Sequence, residues 1–266
     1  MLNLTYPPHV EEKVREALAE DIGFYDLTSE LLVPDRLEAL AEIVAKEEGV
    51  LAGVREAKLA FELLGAKVLE AREEGSKVEP GDIVMRIRGP AKALLAAERT
   101  ALNFLMRMSG IATATAKMVE EARRVNPKVR IAATRKTAPG LRAFDKRAVE
   151  LGGGDTHRLR LDDCVLIKNN HIALVGSVGE AVRKAREAVS FTKKIEVEVR
   201  KPEEAVEAAR AGADIVMLDN MTVEEVQEAL RRLEEEGLRS RVLVEASGRI
   251  GLEEVADYAR IGVDII

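Results

Sequence analysis

At 266 residues the chain is long enough for one large barrel, or for a small domain followed by a medium one. Hydrophobic residues make up 47% of it and charged residues 33%, the profile of a soluble globular protein with a sizeable core. A formal net charge of −6 argues against non-specific nucleic-acid binding, no run approaches the ~20 apolar residues that span a bilayer, and the single cysteine, Cys164, excludes an internal disulfide framework.

The opening stretch has neither a basic region nor an apolar one of signal-peptide type, so a cytoplasmic protein is expected. Residues 10–20 read as a helix, 39–51 alternate like a strand, and 56–64 return to helix. Residues 67–88 look like a hairpin around Glu79-Pro80-Gly81-Asp82, where Pro presets φ and Gly accepts φ > 0. A long helical stretch follows over 91–124, with a break expected at Ser109-Gly110. This mixture predicts a small α/β sandwich-like domain over residues 1–108.

From residue 109 the pattern changes. Strand candidates at 129–133 and 164–168 are accompanied by helices at 143–151 and 177–188. Ile195-Glu-Val-Glu-Val199 and Val242-Leu-Val-Glu-Ala246 each lead into a helix, a Gly-x-Asp turn and another apolar run. Short apolar runs alternating with helices imply βαβ units and a parallel sheet. Six strands are two short of a closed eight-stranded barrel. An open, incomplete (β/α) barrel over 109–266 is therefore expected, and a doubly wound sheet is the alternative. No Gly-rich dinucleotide fingerprint supports the latter.

In barrels of parallel strands the functional groups sit at the carboxyl ends of strands. Those places hold Arg135 and Lys136, then His157 and Arg158, then Lys168. The later strands switch sign to Glu198 and Asp219, and Ser247-Gly248 opens a loop whose N–H groups could receive a phosphate. Like charges ~4 Å apart repel by on the order of 4 kcal/mol at an effective dielectric of ~20, so a cation cluster implies a polyanionic ligand. Arginine grips carboxylates and phosphates with its planar fork, and lysine acts as a point charge. Carboxylates suit sugar hydroxyls, or Mg²⁺ held together with phosphate oxygens.

Each residue also has an ordinary explanation. Arg135 and Lys136 could be solvated charges, His157 a capping or core histidine, and Cys164 a small buried hydrophobe. Asp214 and Asp264 precede strands and read as turn or cap residues. Arg231-Arg232 reads as a solvated helix face. Glu196 and Glu198 share a face of their strand, because sides alternate along it.

Taken in order, Thr134-Arg-Lys-Thr137, Gly152-Gly-Gly with His157-Arg158, Ile167-Lys-Asn-Asn-His171, Val197-Glu198, Leu218-Asp-Asn220 and Glu245-Ala-Ser-Gly248 resemble the successive motifs of the quinolinate phosphoribosyltransferase family. Glu98-Arg99-Thr-Ala-Leu-Asn-Phe-Leu105 and the stretch from Glu20 to Thr28 match it too, so the resemblance runs along essentially the whole chain. It implies a homodimer, or a hexamer built from dimers, with a site shared between subunits. It also implies Mg²⁺-dependent conversion of quinolinate and phosphoribosyl pyrophosphate to nicotinate mononucleotide, pyrophosphate and carbon dioxide. Carried over by position, Arg99 (from the neighbouring subunit), Arg135, Lys136, His157, Arg158 and Lys168 would line the quinolinate and phosphate pocket. Glu198 and Asp219 would hold the ribose hydroxyls and the metal-bound phosphoribosyl group, and Ser247 and Gly248 would face a phosphate. Lys136, Glu198 and Asp219 would carry the catalytic roles.

Family members usually continue past Gly262-Val-Asp-Ile-Ile266 into a Ser-x-Gly loop and a final helix, so a further tail is expected. Arg249 follows Ser-Gly where many relatives have a small residue, which implies a differently shaped phosphate loop. A molybdenum-associated relative of the same fold is a second reading, disfavoured by the retained Arg135-Lys136 and His157-Arg158 pairs. A biotinyl or lipoyl carrier would need a lysine at the Pro80-Gly81 turn. An aldolase or isomerase barrel would need a lone Schiff-base lysine or a buried acid–base pair.

Overall fold

The structure, a computed structural model, describes residues 8–266; residues 1–7, part of the stretch read above for a signal peptide, lie outside them. The chain forms two compact units, Met1–Ala116 with Ala138–Gly153, and Lys117–Thr137 with Gly154–Ile266. Among the described residues no helix is long and apolar enough to cross a membrane.

The first unit begins with helices α1 (Pro8–Ile22) and α2 (Leu27–Leu32), then strands β1 (Glu38–Val44) and β2 (Gly49–Val50) and helix α3 (Val54–Leu63). Strands β3 (Lys67–Ala71), β4 (Lys77–Val78) and β5 (Ile83–Pro90) precede α4 (Ala91–Val125), and α5 (Arg142–Leu151) completes the unit. Strand β5 lies between β1 and β3, antiparallel to both. Its Met85 and Ile87 are fully buried in one core with Val14, Phe61, Met108 and Phe144, so helices cover that face of the sheet.

Three expectations are corrected here. The strand expected over 39–51 is split into β1 and β2, because Ala45 turns away to bond Asp82 and Gly81 across the Pro80-Gly81 turn. The hairpin expected over 67–88 pairs β3 with β5, but between them β4 leaves to pair with β2. The break expected at Ser109-Gly110 is absent, and α4 runs on. A helical glycine costs only ~1 kcal/mol relative to alanine. Buried Leu105, Met108 and Ala112 hold the helix on either side of it, and the Ser109 hydroxyl is engaged with the Ala52 backbone N–H and C=O.

In the second unit β6 (Val165–Ile167), β7 (Ile195–Val199), β8 (Ile215–Asp219) and β9 (Leu243–Ser247) form a parallel sheet in that order. Helices α6 (Asn169–Val175), α7 (Val178–Ala188), α8 (Pro202–Ala211), α9 (Val223–Glu235) and α10 (Val255–Arg260) alternate with them. Val197, Val216 and Val244 stand side by side in register, fully buried in one core with Ala181, Ala205 and Ala229 of the helices. Strand β7 alternates strictly, so Glu196 and Glu198 share the opposite face.

The six expected strands become four strands and a set of bridges. Glu245 bridges Ile265, Ile265 bridges Arg130, and Ala132 bridges Asp155, all parallel. The strand expected over 129–133 stays at bridge length because each of its sides meets a different short segment. No bridge returns from Asp155 to β6 among the described residues, so the sheet curls through these partners into an open barrel.

Candidate active site

The carboxyl ends of the parallel strands bring one acidic group together directly. Lys168, immediately after β6, places Nζ 3.0 Å from Glu198 Oε2, and Asn169 donates to Glu198 Oε1 at 2.9 Å. Glu198 is only 8% exposed, so both of its oxygens are held in place from the adjoining strand end. Asp219 ends β8 opposite Ser247 of β9. Its Oδ1 accepts from Asn220 Nδ2 at 2.8 Å, and Arg200 Nε lies 3.6 Å from Oδ2. Asn220 has φ 54, and its N–H donates to the Ser247 carbonyl at 2.7 Å. Gly248 follows with φ +151, and a Cβ there would sit 2.9 Å from Asn220 Oδ1. Only glycine lets the β9 loop pass this close to Asn220.

Below this rim lies a second group. The His157 Nε2 atom is 3.1 Å from Glu196 Oε2 and 3.4 Å from Glu245 Oε2. The Glu196 and Glu245 carboxylates beside Nε2 push the imidazole up to about 10. Burial pushes Glu245 up as well. These are two views of one proton that the coupled cluster retains at neutral pH. Nδ1 accepts the Arg158 N–H at 2.7 Å, so the ring donates through Nε2 and the extra proton of the cluster rests with the acids, Glu245 above all. His157, Arg158 and Glu196 line a cavity of about 460 Å³, together with Cys164 and the strand-opening residues Lys194, Ile215 and Leu243. Burial raises the Cys164 thiol, as expected for a packed rather than reactive cysteine.

The remaining expected residues stand as follows. Arg135 is half-buried, and its Nε is buried without a hydrogen-bond partner. Lys136 is exposed, and its backbone N–H bonds Thr134 Oγ1 at 3.2 Å. Arg158 lines the cavity beside His157. Arg99 is exposed on α4 in the first unit. The expected cations are not gathered into one ring among the described residues: Lys168 pairs with Glu198 at the strands' carboxyl ends, whereas His157, held against Glu196 and Glu245, and Arg158 lie with the strand-opening residues Lys194, Ile215 and Leu243. Arg200, Asn169, Glu196 and Glu245 were not among the expected site residues. Strand position was the available signal: Arg200 directly follows β7, and Glu196 and Glu245 each precede a rim residue by two.

Comparison with known proteins adds to this geometry. A family model described as quinolinate phosphoribosyl transferase, C-terminal domain, matches residues 111–266, and its N-terminal domain counterpart matches residues 26–109. A protein of Methanothermobacter thermautotrophicus named probable nicotinate-nucleotide pyrophosphorylase [carboxylating] is 50% identical over 253 residues, covering 95% of this chain and 91% of its own length. The human nicotinate-nucleotide pyrophosphorylase [carboxylating] is 43% identical over 226 residues, covering 85% of this chain and 75% of its own. The crystal structure of NadC from Streptococcus pyogenes superposes with a TM-score of 0.92 at 37% identity, covering 100% of this chain and 92% of that one.

Proposed function

The chain belongs to the quinolinate phosphoribosyltransferase family, and from that premise we propose that it transfers phosphoribose from phosphoribosyl pyrophosphate to quinolinate with decarboxylation. The products are nicotinate mononucleotide, pyrophosphate and carbon dioxide, in the cytoplasm. The observation that carries this reading is Glu198, whose two oxygens are fixed by Lys168 and Asn169 at the carboxyl end of its strand. Asp219 and Ser247-Gly248 at the ends of the next two strands complete the rim.

Catalysis on such a rim is mainly positioning and electrostatic stabilisation. The bond from ribose C1 to pyrophosphate breaks with its electron pair leaving on pyrophosphate, and the ribose becomes oxocarbenium-like. Glu198 and Asp219 offset that developing positive charge and hold the ribose hydroxyls. The quinolinate ring nitrogen then forms the new bond to C1. Loss of the 2-carboxylate as carbon dioxide leaves an electron pair on the ring carbon, which takes up a proton, while Lys136 and the neighbouring cations steady the charge. Arg135, Arg158 and Lys168 line the pocket for the two carboxylates and the phosphate, and His157 stands behind Arg158. The partnerless Nε of Arg135 supports this, because a buried guanidinium nitrogen calls for an anion.

The oxygen donors of the rim fit Mg²⁺, which binds through one or two carboxylates plus substrate phosphates. Asp219 would hold it, and Glu198 through water, since both Glu198 oxygens already have donors. When bound with pyrophosphate, Mg²⁺ neutralises the leaving group's charge. A homodimer, with Arg99 completing the neighbouring subunit's pocket, belongs to the same proposal. The exposed Leu95, Arg99 and Met106 on α4 support it, since apolar side chains there await cover.

The direct test incubates the chain with quinolinate, phosphoribosyl pyrophosphate and Mg²⁺ and measures nicotinate mononucleotide. Nicotinate in place of quinolinate should give no product, because it lacks the 2-carboxylate. Equal turnover of nicotinate would end the pocket assignment. Arg135→Ala should weaken quinolinate binding by ~3–5 kcal/mol in a direct binding measurement, as expected for loss of a buried ion partner.

A further inference from the structure

Glu196 and Glu245 take no part in the transfer described above, yet they are 0% and 5% exposed. Each lies two residues before a rim residue on its own strand, Glu196 before Glu198 and Glu245 before Ser247. Side chains two apart on a strand share a face, so these acids form the layer beneath the rim. Both oxygens of Glu196, and Oε2 of Glu245, lack a hydrogen-bond partner of good geometry. The group they close on is His157 Nε2. Stability alone does not account for such a cluster, because replacing a buried ion pair with apolar side chains is often neutral or stabilising.

The other side of the ring supplies the reason. The His157 Nδ1 atom accepts the Arg158 N–H, while the His157 N–H donates to Asp155 Oδ1 at 2.9 Å. The backbone turns at His157 with φ 52, a left-handed conformation that few residues other than glycine adopt. The ring's Nδ1 and the His157 backbone N–H therefore fix the backbone that carries Arg158, while Nε2 faces the acids. The groups facing the ring are Glu196 from β7, Glu245 from β9, and Asp155 and Arg158 from its own segment. The three side chains could present ligand atoms within 4.8 Å of one another. A metal-bound imidazole, however, donates its second N–H to a carbonyl or carboxylate, and here the second nitrogen faces an amide donor.

We propose that Glu196 and Glu245 are positioning residues: they grip His157 from beneath, and His157 in turn fixes the Arg158 backbone from which the guanidinium reaches a quinolinate carboxylate. His157 thus acts through Arg158. This inference rests on the reading of Arg158 as a quinolinate-binding residue.

The test uses the full chain with Glu196→Gln and, separately, Glu245→Gln, which keep shape and an acceptor oxygen but remove the charge. The expected result is a KM for quinolinate raised about tenfold, with kcat and the KM for phosphoribosyl pyrophosphate within about threefold of the parent, the pattern of lost uniform binding. The thermal midpoint should fall modestly at neutral pH, because one partner of the cluster is removed, while kcat holds. Glu245→Met, apolar and similar in volume, replaces either variant that fails to fold. An unchanged quinolinate KM overturns the proposal, as does a parallel fall of kcat, both affinities and thermal midpoint. If the parent chain makes no nicotinate mononucleotide, the family reading of the activity fails separately. The ¹⁵N shifts of the His157 ring then decide the clamp: an accepting Nδ1 that is lost in the Gln variants supports it, and shifts that do not move overturn it.

Discussion

His157 meets its surroundings through both ring nitrogens, and its protonation ties the second unit's stability to pH. With Glu196 and Glu245 at 3.1 and 3.4 Å from Nε2, the three groups share a proton that the cluster keeps up to about pH 10, against an ordinary imidazole value of 6.5. A folded-state value above the unfolded one stabilises fully below the unfolded value and is lost as pH rises through the folded one. Stability to urea should therefore fall between pH ~6.5 and ~10, by on the order of a few kcal/mol for a shift of this size. The raised Glu245 reports the same proton and adds no separate loss. In Glu245→Gln the alkaline loss should shrink; an unchanged slope in urea melts across this window would remove the cluster as its source. Gly248 makes a second residue-scale case. Its φ of +151 and the 2.9 Å approach of a built Cβ to Asn220 Oδ1 predict that Gly248→Ala costs ~1–3 kcal/mol of stability. The KM for phosphoribosyl pyrophosphate should rise with it, measured beside the urea melt. A substitution tolerated in both assays would show that the loop has room after all.

At the scale of elements, what the sequence made legible was periodicity, and what it hid was competition between partners. The helices at 143–151 and 177–188 appear within a residue of their expected bounds, because their amphipathic faces, and the Ser177 cap of the second, are local properties. Residues 129–133 have the composition of a strand, but ladder length depends on what pairs with them, and Arg130 and Ala132 find only Ile265 and Asp155. Ser109-Gly110 looks like a break by local propensity, yet packing on both sides of the glycine overrides it. That account makes a prediction. A Cβ at Gly110 would meet nothing within 4 Å, and the residue is helical. Gly110→Ala should therefore stabilise the chain by ~0.5–1 kcal/mol, read as a higher urea midpoint. Destabilisation would mean that the helix needs flexibility at this point.

On the scale of the whole molecule, the site was legible as a sequence of strand ends and much less so as a set of contacts. Lys168, Glu198, Asp219 and Ser247 could be placed because βαβ repetition puts them at equivalent positions. Glu196 and Glu245 were marked only by the face they share with Glu198 and Ser247, and nothing local says that an inward acid grips a histidine. Arg99 is a different case: it lies in the first unit, whereas Glu198 lies in the second, and the proposed homodimer assigns the two to one pocket from different subunits. An isologous dimer then has a definite arithmetic. In a chain carrying Arg99→Ala or Glu198→Gln alone, every pocket is damaged. When the two variants are unfolded together and refolded as a mixture, half the dimers are mixed. Each mixed dimer holds one pocket with both residues intact and one with neither. Activity should therefore return to about a quarter of the parent value, although each variant alone is close to inactive. If Arg99 serves the pocket of its own chain, mixing restores nothing, because no arrangement of subunits reunites Arg99 with Glu198.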